Sequence, residues 1–297
     1  MTVKRIDGTE YQKLKHKLEA YAYSYTKRGN LCVYYKGFYK RYLSDDEKAT
    51  FDTTGLWDLT KHHVSIGSNH QKPRLELLGI NSNSRTAGPG GERYEIFTKG
   101  CIRGITNPCA GCFNESSWSF SGESRTTEID ELYQVLKQQA HHKRFTICGG
   151  EPMLQLNALL PLLRKLKRDG FHVVMYTAYD AEILLRKGLH YFATPDKDAA
   201  MVNKLNHYAV ETVFKGNGSL SFKLATPDMV RELFGLIDIL IDGDYQQSSR
   251  LTTAQFMEED WFIGSANQRL IDTKASLEKD ELVYVQADEA KELAFKE

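Results

Sequence analysis

The sequence predicts an α/β fold, a parallel sheet wrapped by helices, on two observations. From Arg74 onward, strand-like and helix-like stretches alternate, the pattern that a parallel sheet with crossover helices requires. Four suggestive groups also fall at the carboxyl ends of those strands, where parallel α/β folds gather their ligands. They are the loop Thr98–Trp118, Gly149-Gly150-Glu151, Tyr176-Thr177-Ala178-Tyr179 and Asp242-Gly243-Asp244.

Residues 9–22 have helix-forming composition, with Leu14, Leu18 and Tyr21 spaced for one face. Leu31–Tyr42 is aromatic and strand-like, and Ser44-Asp45-Asp46-Glu47 reads as a helix start. Residues 1–73 therefore form an N-terminal extension whose role the sequence does not reveal. His62, His63 and Cys32 lack a metal-ligand spacing and read as ordinary structural or surface residues.

The second part, 74–297, opens with a strand over Leu75–Ile80 and a turn-rich link carrying Gly88-Pro89-Gly90-Gly91. The strand Arg93–Thr98 leads into the cysteine loop, and Glu128–Gln139 reads as an amphipathic helix. Phe145–Cys148 is a strand. Leu154–Arg168 is a helix with Leu156, Leu159, Leu160, Leu163 and Leu166 on its apolar side and Gly170 as its C-cap. The strand His172–Tyr176 and the helix Asp180–Arg186 follow. Residues of about 189–226 interrupt the rhythm and read as an insertion. A helix over Pro227–Leu236, the strand Ile237–Ile241 and a final strand over Leu282–Val285 resume it.

Lys plus Arg and Asp plus Glu number 39 each, so no global charge drives binding to nucleic acid or membranes. No direct nucleic-acid binding is expected. No apolar run approaches the ~20 residues that a membrane span needs, and the first residues lack the apolar core of a signal peptide. A cytoplasmic location away from membranes is expected.

Five cysteines is an odd number, and Cys101, Cys109 and Cys112 share one loop. In a reducing compartment such clustering favours metal or redox chemistry over disulfides. A structural zinc site normally closes its sphere with four protein ligands. In an iron–sulfur cluster, a missing fourth cysteine leaves one iron free for another ligand. Gly149 and Gly150 expose backbone groups to a ligand, Glu151 can accept from a cationic amine, and Pro152 fixes the entry to the next helix. Tyr176, Thr177 and Tyr179 read equally as core edge or cofactor wall, and Asp242 as a turn cap or a cofactor or partner contact. Cys148 reads as a packing residue, Arg269 as a candidate for the site's mouth, and His141-His142 as charges near a helix dipole.

The runs TKGCIRGITNPCAGCFNESSW, TICGGEP, YTAY, IDILIDGDY and GSANQRLID resemble the radical S-adenosylmethionine activases. Within them they are most similar to the branch that activates anaerobic ribonucleoside-triphosphate reductases. The resemblance covers about 75–275, apart from the insertion. It implies an incomplete (β/α) barrel of radical SAM type in which Cys101, Cys109 and Cys112 hold a 4Fe-4S cluster and are catalytic through it. The open iron would chelate S-adenosyl-L-methionine. Gly149, Gly150 and Glu151 would receive its ammonium, Phe113 and its neighbours would lie near the adenine, and Gly111, Tyr176, Thr177 and Asp242 complete the expected cofactor-binding set. One electron, from a donor such as a flavodoxin, would release a 5′-deoxyadenosyl radical that takes a hydrogen atom from a glycine of a partner glycyl-radical enzyme, here an anaerobic ribonucleotide reductase.

Two departures from the family's pattern stand out. Seven residues, Ile102–Pro108, separate the first two cysteines where the family usually has three, and the chain carries both an extension and an insertion. They motivate a rival, a radical SAM enzyme acting on another protein or a small molecule. A second rival is a non-catalytic zinc-binding module.

Overall fold

The computed structural model describes residues 21–25, 31–35, 39–42, 64–67, 73–139, 141–193, 199–214, 220–252 and 262–295. The helix expected over 9–22 lies outside them except for its last two residues, which begin a strand. The start expected at Ser44 and the pair His62-His63 also lie outside. Among the described residues, no helix is long and apolar enough to cross a membrane.

The chain divides into two compact units, 1–69 with 191–222, and 70–190 with 223–297. In the first, aromatic and β-branched runs form β1 (Tyr21–Tyr25), β2 (Leu31–Tyr35, which holds Cys32) and β3 (Tyr39–Tyr42), an antiparallel sheet in that order. β4 (Val64–Gly67) pairs with a strand of the insertion instead, as described below.

The second unit is built on β5 (Arg74–Ser84), β6 (Arg93–Thr98), β7 (Arg125–Glu128), β8 (Arg144–Gly149) and β9 (His172–Thr177). The insertion supplies β10 (Leu189–Ala193), β11 (Glu211–Phe214) and β12 (Leu220–Ala225), with a helix Ala199–Tyr208 between the first two. These order with the extension's strand as β10-β12-β11-β4, and β11 runs antiparallel to β4. Extension and insertion, separate in sequence, thus share one sheet. β13 (Ile239–Asp242), β14 (Arg269–Asp272) and β15 (Val283–Tyr284) complete the larger unit, whose sheet orders β15-β14-β13-β9-β8-β6-β5-β7.

Only its centre is parallel: β6, β8, β9 and β13 run together, flanked by antiparallel strands on both sides. The α/β class holds, but the sheet is open and no barrel closes among the described residues. Parallel neighbours need crossovers, and the helices Ile129–Gln139, Leu156–Arg168 and Pro227–Leu236 supply them. In the helix Leu156–Arg168 all five expected leucines are buried, together with Leu162.

Register fixes which residues share a face. Ile96, Ile147, Met175 and Leu240 form one buried row across the parallel strands. The next residues, Phe97, Cys148, Tyr176 and Ile241, point to the opposite face by the two-residue period of a strand. Phe97, Cys148 and Tyr176 of that second face line the cavity described next, whereas Ile241 packs in the core.

Candidate cofactor site

A cavity of about 640 Å³ lies at the carboxyl ends of β6, β8, β9 and β13. Cys101, Cys109 and Cys112 line it together with Phe113, Gly149, Gly150, Tyr176 and Thr177. Gly111, Glu151 and Asp242, the other members of the expected cofactor-binding set, do not line it, and neither does Tyr179.

The loop that carries the cysteines is anchored at its root. Gly100 N–H donates to Ser117 O at 2.7 Å and Cys101 N–H to Trp118 O at 3.0 Å, which closes its base. Between the first two cysteines the chain folds into a short helix, Ile102–Thr106, and Cys101 is its N-cap. Each sulfur then receives one N–H. Gly104 N donates to Cys101 Sγ (3.2 Å), Arg103 Nε to Cys109 Sγ (3.4 Å) and Asn114 N to Cys112 Sγ (3.4 Å). Such donors stabilise thiolates, the form that binds metal. Burial first, and then Glu151, push the Cys101 thiol up to about 12. Among the described residues, no group of three His, Cys, Asp or Glu side chains could hold a metal ion.

The turn after β8 approaches this loop closely. Gly150 N–H donates to Thr98 O at 2.8 Å and Glu151 N–H to Gly100 O at 2.9 Å. Gly149 has φ +102°, and a Cβ there would run into the backbone of Phe97 and Thr98; a Cβ at Gly150 would strike the Gly100 carbonyl. Glycine at both positions is therefore a packing requirement, and it also leaves the cavity wall as bare backbone.

Glu151 turns away from the cavity. Its carboxylate accepts from Thr177 Oγ1 (2.8 Å), Ala178 N (2.9 Å) and Met153 N (3.0 Å) and is 1% exposed. Burial raises it to about 7, against the opposing pull of Ala178, Met153 and Thr177. It ties the Gly-Gly turn to the end of β9. Asp242 is likewise fully buried. It accepts from Ala181 N at 2.8 Å and from Nε and Nη2 of Arg269, and that Nη2 also reaches Asp180 Oδ2 at 2.8 Å. Arg269 is therefore a clamp between strand ends, and it does not line the cavity. Gly111 has φ +71°, and a Cβ there would meet Gln247 Oε1.

Tyr176 lines the cavity and donates to Phe262 O at 2.6 Å. Phe113 stands at the rim, 63% exposed, with the Tyr245 ring at 5.0 Å and the Arg250 guanidinium 5.6 Å from its own ring. Cys148 is buried, as expected of a packing residue, but it also lines the cavity, and its thiol donates to Glu95 Oε1 at 3.0 Å. Sequence reasoning missed Glu95, Arg103, Tyr245 and Arg250. For Glu95 a signal existed, a lone carboxylate inside an apolar strand pattern. Burial and the neighbouring Arg144 and Arg93 lower His142 below the ordinary histidine value.

Residues 86–215 match the family model of a 4Fe-4S single cluster domain. The chain is similar to the pyruvate formate-lyase-activating enzyme of Staphylococcus epidermidis (strain ATCC 12228 / FDA PCI 1200), 32% identical over 107 residues. That alignment covers 34% of this chain and 41% of the relative. The same enzyme from Staphylococcus aureus strains USA300 and NCTC 8325 / PS 47 is 33% identical over the same length and shares. The chain thus spans about two fifths of the length of the curated relatives it matches.

Proposed function

We propose that this protein is a radical S-adenosylmethionine enzyme that activates a glycyl-radical enzyme, with Cys101, Cys109 and Cys112 holding a 4Fe-4S cluster. The observation that carries this reading is three cysteines on one cavity wall, each sulfur with its own N–H donor, beside a bare Gly-Gly turn. The match to a 4Fe-4S single cluster domain and the activating-enzyme relatives support it independently.

The donor set fits the cofactors. Three thiols would leave a 4Fe-4S cluster with one iron open to another ligand, whereas a structural zinc site closes its sphere with four protein ligands. When bound, the cluster and S-adenosylmethionine supply one-electron cleavage of the sulfonium and a 5′-deoxyadenosyl radical. The protein's own contribution is positional. The amides of Gly150 and Glu151 are spent inside the protein, so any contact of this turn with an ammonium would have to come from its carbonyls. Glu151 holds that turn from behind, which departs from the role expected of it as an ammonium ligand. Tyr176 and Thr177 wall the cavity, and Phe113 with Tyr245 offers an aromatic shelf at its rim for the adenine.

For the partner, GSANQR and the Cys-Ala-Gly-Cys-Phe-Asn run support an anaerobic ribonucleotide reductase, with an electron donor such as a flavodoxin. The names of the relatives favour a second reading, pyruvate formate-lyase. Anaerobically reconstituted protein, S-adenosylmethionine and a strong reductant should release 5′-deoxyadenosine; zinc without iron or sulfide in the purified protein would reject the whole reading. Adding each candidate partner in turn, and recording its glycyl radical by electron paramagnetic resonance, decides between the two.

A further inference from the structure

Of the three sulfurs, two receive a neutral backbone N–H, whereas Cys109 receives a charged side chain, Arg103. That arginine belongs to the short helix Ile102–Thr106, built from the residues that lengthen the first cysteine gap. Its guanidinium is used in two directions. Nε–H points at Cys109 Sγ, and Nη2 is ion-paired with Asp244, just past the end of β13. Asp244 is held in turn: its carbonyl accepts from Asn267 Nδ2 at 2.7 Å. The fork geometry of a guanidinium makes this double contact possible, and a lysine ammonium could not reproduce it.

We infer that Arg103 and Asp244 form a charge pair that sets the reduction potential of the cluster held at Cys109. The inference rests on the cluster assignment proposed above. An added electron increases the negative charge on the cluster and its thiolates. A cationic donor to one sulfur favours that reduced state, whereas a nearby carboxylate disfavours it. Asp244 therefore acts by offsetting the positive charge that Arg103 presents to Cys109. Both are positioning residues that act through Cys109.

Opposite signs make the test specific. Redox titration of the reconstituted full chain, followed by electron paramagnetic resonance of the reduced cluster, should give Arg103→Gln a more negative midpoint than the parent. Asp244→Asn should give a more positive one. A tenfold change in the reduced-to-oxidised ratio at fixed potential, ~59 mV for one electron, is the size expected for each. The double variant should lie between the two singles. Unchanged potentials with iron content intact would overturn the inference, and so would shifts of the same sign, which mark a merely structural disturbance. If Arg103→Gln loses iron, Asp244→Asn decides alone, and its midpoint must rise. Absence of a cluster in the parent protein would instead overturn the cluster assignment, and this inference with it.

Discussion

The two ends of the parallel strands both carry polar groups, and they treat them in opposite ways. At the amino end Arg93 is fully buried. Its guanidinium donates to Thr146 Oγ1, Pro89 O and Phe145 O at 2.7 Å each, and to the carbonyl and ring Nδ1 of His172. Burial lowers Arg93 to about 9, and burial with Arg93 lowers His172 to about 4, so the imidazole stays neutral and accepts. At the carboxyl end each sulfur takes one long N–H contact and faces a cavity. A network held within the protein, here with only His172 Nε2 buried and unpartnered among its side-chain atoms, serves stability. Donor atoms left facing a cavity are the mark of a ligand site.

That contrast can be broken from either side. The largest expected effect is at the open end: Cys101→Ala, Cys109→Ala or Cys112→Ala should abolish cluster binding and 5′-deoxyadenosine formation, measured as iron content and product. Cys148→Ala, on the same cavity wall but bonded to Glu95, should keep its iron. At the closed end, Arg93→Met leaves the Pro89, Phe145 and His172 carbonyls without their donor. It should cost on the order of 3 kcal/mol in urea unfolding, with no loss of the cluster ligands themselves.

Glu151 lies between the two cases, closed like Arg93 but placed at the open end. Its carboxyl is raised from 4.5 to about 7, so its contribution to stability is fully present below pH 4.5 and is lost as pH rises through 7. Removal of that titration in Glu151→Gln should flatten the pH–stability profile between those values by up to about 3 kcal/mol. Its amide would also face Thr177, Met153 or Ala178 with a donor against donors, so its midpoint of unfolding at pH 5 should fall. A flat parent profile over this range would remove Glu151 from the closed class. The smallest effect on stability belongs to Phe113→Ala: at 63% exposure its loss should change unfolding by under about 0.5 kcal/mol. Equilibrium binding should nonetheless show weaker affinity for S-adenosylmethionine.

Much of this was legible in the linear chain because it is local. Strand and helix periods placed β6, β8, β9 and the helix Pro227–Leu236 to within a residue or two. Glycine and cysteine pointed to the loops at one end of the sheet, since few other residues serve backbone exposure or soft metal binding. The edge strand β7 was missed because four polar residues, RTTE, carry no alternation. The extension and insertion read as separate pieces because β4 and β11 pair across more than 140 positions, a distance no local pattern reports.

The sequence by itself determined the α/β class, the cavity end of the sheet and the three thiols, because periodicity and residue chemistry are written into neighbouring positions. Only the tertiary structure decided which polar groups remain available. It closed Glu151 onto Thr177 and Ala178, locked Asp242 to Arg269, and brought Arg103 to Cys109 and Asp244. Whether a buried charge serves a ligand or the fold depends on which donors surround it, and those donors arrive from distant parts of the chain.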